Sequence, residues 1–294
     1  MMKSAFVSII GRPSSGKSTF LNKVCENKIS IVSNVPQTTR NRIRGIWNDK
    51  EKKGQLVFID TPGFHISSKK FNTYMRKSIH SAIRDCDLVL YLIDVTQKPG
   101  EEERTIMNIL KNQKKPILIV LNKIDKGTPL KKAIKAELNS IFNNTHIFEI
   151  SALRGNGLSS VLEKLLSIAP CGERMYPEDF YTDQAPKFRI AEIIREKAIN
   201  ATKQELPHSI YVDILDIELQ QEDNLLWVRG FIYVERDSQK GILIGKKGDK
   251  IKKILKEAYD EIITLFPYTL ELDIRIKVNP KWRQNERFIK KIIK

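Results

Sequence analysis

Four short stretches in the first half of the chain put glycine, lysine, hydroxyl and carboxylate groups where they could hold a polyphosphate and read a purine. Gly11-Arg12-Pro13-Ser14-Ser15-Gly16-Lys17-Ser18 reads G-x-x-x-x-G-K-S, after the apolar run 5–10 and before the helical pattern 19–24. That strand–loop–helix context is the one a phosphate-binding P-loop requires. Gly11 and Gly16 let backbone N–H groups converge on an anion, in a cradle that takes in Ser14, Ser15 and Thr19. The helix N-terminus adds partial positive charge, Lys17 neutralises phosphate oxygens, and the Ser18 hydroxyl can sit on Mg²⁺. In Asp60-Thr61-Pro62-Gly63, the carboxylate of Asp60 can hold Mg²⁺ through water and the N–H of Gly63 can approach a γ-phosphate. In Asn122-Lys123-Ile124-Asp125, the carboxylate of Asp125 can accept two hydrogen bonds from guanine N1 and N2, a donor pair that adenine lacks. The stem of Lys123 can lie along the base, and Asn122 can tie this loop to the P-loop. Ser151-Ala152-Leu153 brings a backbone N–H, assigned to Ala152, to the place of guanine O6.

These residues need a frame that brings distant stretches to one edge. Residues 3–170 alternate short apolar runs with helical patterns, the mark of an α/β fold with a mostly parallel sheet covered on both faces. Strands are expected at Ala5–Ile10, Ile43–Trp47, Gln55–Asp60, Asp87–Val95, Pro116–Asn122 and Ile147–Ile150. In such sheets ligands gather at the carboxyl ends of the strands, where all four stretches fall.

Pro170, Gly172 and Pro177 interrupt the periodicity, so the expected organisation is a first domain over 1–170, a linker over 171–186 and a second domain over 187–294. The second has the pattern α-β-β-α-α-β, an α+β arrangement with helices on one face. Between its short and long helices lies the G-x-x-G loop Gly245-Lys246-Lys247-Gly248. Two glycines admit a phosphodiester backbone, and Lys246, Lys247 and Lys250 add charge; KH domains clamp four nucleotides of a single strand in this way. Ile242, Ile244, Ile251 and Ile254 are candidates to line the groove for the bases. The tail, with Trp282, Phe288, Ile289, Ile292 and Ile293 among basic residues, suits an amphipathic helix packed on this domain with its basic side towards RNA, the alternative being an anionic bilayer surface.

The 294 residues carry a formal net charge of +16. Residues 1–170 hold 28 Lys+Arg against 14 Asp+Glu, and 171–294 hold 23 against 21. Clusters rather than totals mark a nucleic-acid footprint, and the second half concentrates Lys240, Lys246, Lys247, Lys250, Lys252, Lys253 and Lys256 in one stretch. Cys25, Cys86 and Cys171 form no C-x-x-C pair, which fits a reducing compartment and argues against cysteine-bound zinc. No run of eighteen apolar residues and no leader pattern stands in the sequence, so a cytoplasmic protein is expected.

In order and spacing, the four stretches resemble the G1, G3, G4 and G5 elements of the translation-factor-like GTPases. The resemblance implies a mobile G2 threonine on Mg²⁺ and the γ-phosphate, which Val35-Pro36-Gln37-Thr38-Thr39-Arg40 supplies as Thr39, with Thr38 the alternative. Ser18, Thr39 and Asp60 would then hold the metal, while Lys17, Thr39 and Gly63 act on the reacting phosphate. Phe64 stands where Ras-like enzymes place a water-orienting glutamine, so slow intrinsic hydrolysis is expected. Ser14 stands where relatives carry a potassium-binding asparagine, and potassium activation is not carried over.

The whole layout, a P-loop GTPase domain followed by a smaller type II KH domain, resembles the Era family. Tyr176-Pro177-Glu178-Asp179, Ile193-Ile194-Arg195-Glu196-Lys197 and Val234-Glu235-Arg236-Asp237-Ser238-Gln239-Lys240-Gly241 carry the likeness in the second half. The resemblance implies a Mg²⁺-dependent, GTP-hydrolysing bacterial factor that binds the 3′ end of 16S ribosomal RNA through Ile244, Gly245, Lys246, Lys247, Gly248 and Lys250. It further implies a role in 30S subunit maturation and peripheral association with the inner membrane. A monomer without DNA partners is expected. The competing reading is an RNA-binding scaffold that works without nucleotide.

Overall fold

The computed structural model describes residues 1–33, 42–51, 53–60, 79–127, 129–143, 146–202, 206–280 and 282. The chain divides into two compact units, Met1–Ser30 with Pro36–Asp183, and Ile31–Val35 with Gln184–Lys294.

The first unit is built on a six-stranded sheet of β1 (Lys3–Ile10), β2 (Ile43–Asn48), β3 (Gly54–Asp60), β4 (Leu88–Asp94), β5 (Ile117–Asn122) and β6 (Ile147–Glu149), in the order β2-β3-β1-β4-β5-β6. Only β2 runs antiparallel to its neighbour; the other pairings are parallel. β3 and β4 are buried at every position, as strands with both faces covered must be, and that is why they read as unbroken apolar runs. Around them lie α1 (Lys17–Val24), α2 (Glu101–Lys111), α3 (Lys131–Phe142) and α4 (Leu158–Ile168), with a helical stretch at 79–84. Their apolar faces close a core that includes Val89, Tyr91, Ile106, Met107, Leu110, Ile119 and Leu138. Every expected strand is present, with its ends moved by no more than two residues.

The stretch expected to be a linker is largely part of this unit, which closes at Asp183 rather than at residue 170. Phe180 N closes a turn on Pro177 O at 3.2 Å, and the polar groups of the stretch find partners on the open edge of β2 and on β3. Met175 N and Tyr176 N donate to Gln55 Oε1 at 2.9 and 3.0 Å, Ile46 N donates to Tyr181 O at 2.9 Å, and Arg44 pairs with Asp183 at 2.7 Å. An exposed strand edge invites pairing with another chain, and here the protein covers its own.

The second unit contains α5 (Pro186–Asn200), the single turn α6 (Leu206–Ser209), β7 (Tyr211–Gln220), β8 (Leu225–Val234), α7 (Asp237–Ile244), α8 (Asp249–Leu265) and β9 (Thr269–Val278). Pro186 stands in the first turn of α5, where its missing N–H costs nothing. The sheet has the order β7-β8-β9, with β7–β8 antiparallel and β8–β9 parallel from Leu225↔Thr269 to Val234↔Val278. One face of β8, through Leu226, Val228, Ile232 and Val234, packs on α5 and α8 residues such as Ile194, Ile254, Ala258 and Ile262. Ile254, expected as a possible groove residue, is fully buried in this core, whereas Ile242 is half exposed. Trp282 is buried beside Tyr211 and its Nε1 donates to Ser209 O at 3.0 Å; the rest of the expected tail helix lies outside the described residues.

Candidate nucleotide-binding site and G-x-x-G loop

At the carboxyl edge of the first sheet, the loop after β1 turns sharply into α1. Gly11 cannot carry a side chain: a Cβ there would stand 2.3 Å from the Leu92 carbonyl oxygen. Gly16 has φ +99°, and a Cβ on it would meet Asn122 Nδ2 at 2.3 Å. Ser14 also adopts a left-handed conformation, with φ 61°. The first intrahelical bond of α1 runs from Phe20 N to Gly16 O at 2.8 Å, so the positive end of the helix, with Ser18 and Thr19 in its first turn, opens at the loop. Lys17 Nζ donates to the carbonyls of Gly11 and Arg12, each at 2.9 Å, and spans the loop that a phosphate would enter.

Asn122 joins three segments. Its Nδ2 donates to Ser15 O at 2.9 Å and its Oδ1 accepts from Ala152 N at 2.9 Å, so the P-loop and the turn after β6 are fixed to the end of β5. Asp125 Oδ1 accepts from Ser151 Oγ at 2.5 Å, and this bond holds the Asp125 carboxyl below the ordinary range, so it stays ionised. Ser151 thus orients the acid. The Ala152 amide, expected at guanine O6, is already engaged by Asn122; the next amide, that of the exposed Leu153, has no hydrogen bond among the described residues.

Asp60 ends β3, fully buried. Its Oδ2 accepts from Ser18 Oγ at 2.8 Å and from Ser30 Oγ at 3.1 Å, while Oδ1 is buried with no hydrogen-bond partner among the described residues. Burial raises the Asp60 carboxyl, against the pull of Lys17 and the two hydroxyls; burial also lowers the Lys17 ammonium, against Asp60 and Glu103. An orphaned carboxylate oxygen beside a serine hydroxyl is a hard-oxygen donor set that fits Mg²⁺. No cluster of three His, Cys, Asp or Glu side chains occurs among the described residues.

Ser30 and Asn22 carry no motif and escaped sequence reasoning. Asn22 Oδ1 accepts from Ile29 N and Ser30 N at 2.9 and 2.8 Å, and so sets the Ser30 hydroxyl on Asp60. Arg12 Nε lies 2.8 Å from Glu103 Oε2, and Tyr91 donates to the same buried carboxylate. Thr39, its alternative Thr38, Gly63 and Phe64 lie outside the described residues.

In the second unit, Gly245 (φ +74°) and Gly248 (φ +84°) bracket a short 3₁₀ turn between α7 and α8. A Cβ on Gly245 would stand 2.7 Å from the Lys250 Cβ, so the start of α8 closes that side, whereas a Cβ on Gly248 would meet nothing within 4 Å. Lys246 and Lys247 are exposed, and Lys250 and Ile244 are half buried beside them. The turn offers backbone and two free-standing cations to an anion, as a phosphodiester clamp requires.

A family model described as a 50S ribosome-binding GTPase matches residues 6–123, and a KH domain model matches residues 205–283. GTPase Era of Treponema denticola is 48% identical over 294 residues, covering 99% of each chain. GTPase Era of Borrelia garinii is 46% identical over 99% of this chain and all of its own. A crystal structure of Era in complex with MgGDPNP and nucleotides 1506–1542 of 16S ribosomal RNA matches with a TM-score of 0.91, at 35% identity and 99% coverage of both chains. A structure of Aquifex aeolicus Era bound to GDP and aluminium fluoride matches with the same score and identity. With a P-loop, a guanine-reading pair of turns and a G-x-x-G loop in place, and near-complete coverage at this identity, the chain belongs to the Era family of GTPases.

Proposed function

We propose that this GTPase is a guanine-nucleotide switch that binds the 3′ end of 16S ribosomal RNA through its second unit and assists maturation of the 30S subunit. The observation that carries the nucleotide half is Asn122, which fastens the P-loop to the turn after β6 so that the phosphate cradle and the acid at Asp125 form one site. The RNA half is supported by the G-x-x-G turn with its exposed Lys246 and Lys247, and by the 16S segment bound in the related Era structure.

The reaction is GTP + H₂O to GDP and phosphate. Asp125, held ionised by Ser151, accepts from guanine N1 and N2, and the Leu153 amide donates to O6. The Lys123 stem covers one face of the base. Lys17 exchanges two backbone carbonyls for phosphate oxygens, and the start of α1 adds its N–H groups. Ser18 and Asp60 hold Mg²⁺, which when bound offsets charge on the β- and γ-phosphates. Thr39 and Gly63 would complete the γ-phosphate contacts, and loss of that phosphate would release the segments that carry them. With Phe64 in place of a glutamine, hydrolysis by the protein alone is slow.

Residence in the cytoplasm belongs to the same reading, supported by cysteine usage. No helix among the described residues is long and apolar enough to cross a membrane, and any membrane association would be peripheral, supported by the basic residues of the tail.

Asp125→Asn tests the base-reading role: the variant is expected to lose GTP and gain xanthosine triphosphate, because the amide complements the O2 of xanthine. Undiminished GTP preference in competition binding would refute it. A scaffold indifferent to nucleotide would release no phosphate from GTP, with or without a 16S 3′-end oligonucleotide.

A further inference from the structure

Asp94 lies in none of the nucleotide-binding stretches, yet its carboxylate is almost completely buried at the end of β4. The parallel register places it opposite Asn122, where the base-reading loop begins. Its two oxygens do different work. Oδ1 accepts from Thr96 N at 2.9 Å and Thr96 Oγ1 at 2.6 Å, and so closes the turn that follows β4. Oδ2 accepts from Lys123 Nζ at 2.6 Å. Lys123 itself sits in the left-handed region, with φ 68°, and its side chain is only partly exposed. Burial raises the Asp94 carboxyl, but the Lys123 ammonium and the Thr96 donors outweigh it and hold the group below the ordinary aspartate range. A turn cap needs one oxygen; the second is turned on the one lysine whose stem is to lie along the purine.

We propose that Asp94 is a positioning residue for guanine-nucleotide binding, which pins the Lys123 ammonium and so fixes the methylene stem against the face of the base before the nucleotide arrives. A lysine left loose must be immobilised on binding, and holding it in place beforehand removes that cost. The inference rests on the guanine-nucleotide reading of this site. Asp94 acts on the stem, not on the edge of the base, so it affects affinity for purines alike and leaves the choice of guanine to Asp125.

Asp94→Asn separates the two tasks, because the amide oxygen still serves Thr96 while the amide nitrogen cannot accept from an ammonium. In the full-length protein with Mg²⁺, the variant should bind GDP about three- to tenfold more weakly, the range for one immobilised side chain, with faster dissociation. Inosine diphosphate should weaken by the same factor. In a Lys123→Met background, Asp94→Asn should cause no further loss, and Thr96→Val, which loosens only the turn, should bind GDP as the unaltered protein does. Unchanged GDP affinity in Asp94→Asn, an equal loss in the Lys123→Met background, or the same loss in Thr96→Val would overturn the inference while the guanine reading stands. Absence of GDP binding by the unaltered protein would remove both.

Discussion

At the scale of single residues, the site depends on small groups that hold larger ones. Ser151 is fully buried, and its hydroxyl does no chemistry on a ligand; it turns and acidifies Asp125. Ser151→Ala is therefore expected to weaken GDP binding by about 1 kcal/mol, the typical net worth of one such hydrogen bond. The pH profile should also change. The bond lowers the Asp125 pKa, so its removal should raise the pH at which GDP affinity falls as the carboxylate protonates; equilibrium binding across the acid range measures that midpoint. Ser30 stands in the same relation to Asp60. Neither serine differs in kind from a solvent-facing one when read as a letter in a chain.

At the scale of elements, each unit has its own core, and each core holds its loop rigid from behind. α8 begins right after the G-x-x-G turn and anchors in the second unit through Ile254, Ala258 and Ile262, all fully buried. Ile254→Ala should cost about 2–4 kcal/mol in chemical denaturation of that unit, through lost burial and the cavity left behind. GDP affinity should stay as it was, because no nucleotide contact passes through α8. In the first unit, a loop residue is held by a helix: Arg12 reaches the buried Glu103 in the first turn of α2, with Tyr91 of β4 completing the group. The open edge of β2 is covered by the segment 175–183, so a stretch without helix or strand of its own serves as packing.

At the scale of the whole molecule, the uneven charge matters most. Residues 1–170 carry 28 basic against 14 acidic residues, while the half with the G-x-x-G loop is nearly balanced at 23 against 21. Affinity for RNA should thus come from a local cluster on the second unit, and its salt dependence should report that cluster. Each phosphate neutralised on a single strand contributes about 0.7 to the slope of log K against log salt. The double variant Lys246→Ala/Lys247→Ala is expected to lower that slope by about 1.4 and to weaken binding at low salt, measured by titration with a 16S 3′-end oligonucleotide. A slope that does not change would place the RNA contacts elsewhere.

The sequence by itself determined the frame and the candidate chemistry: two units, the positions of the strands along the chain, the P-loop, the acid at Asp125 and the G-x-x-G turn. All of these are local patterns, in which period, glycine placement or residue spacing carries the signal within a few positions. What only the tertiary structure decided are contacts between residues far apart in the chain. Ser30 reaches Asp60, Lys123 meets Asp94, and the supposed linker lies along β2 and β3. The same applies to the Ala152 amide, which donates to Asn122 Oδ1 from 30 positions away. No local rule foresees such pairings, because a buried polar group takes whichever partner the packed fold brings within reach.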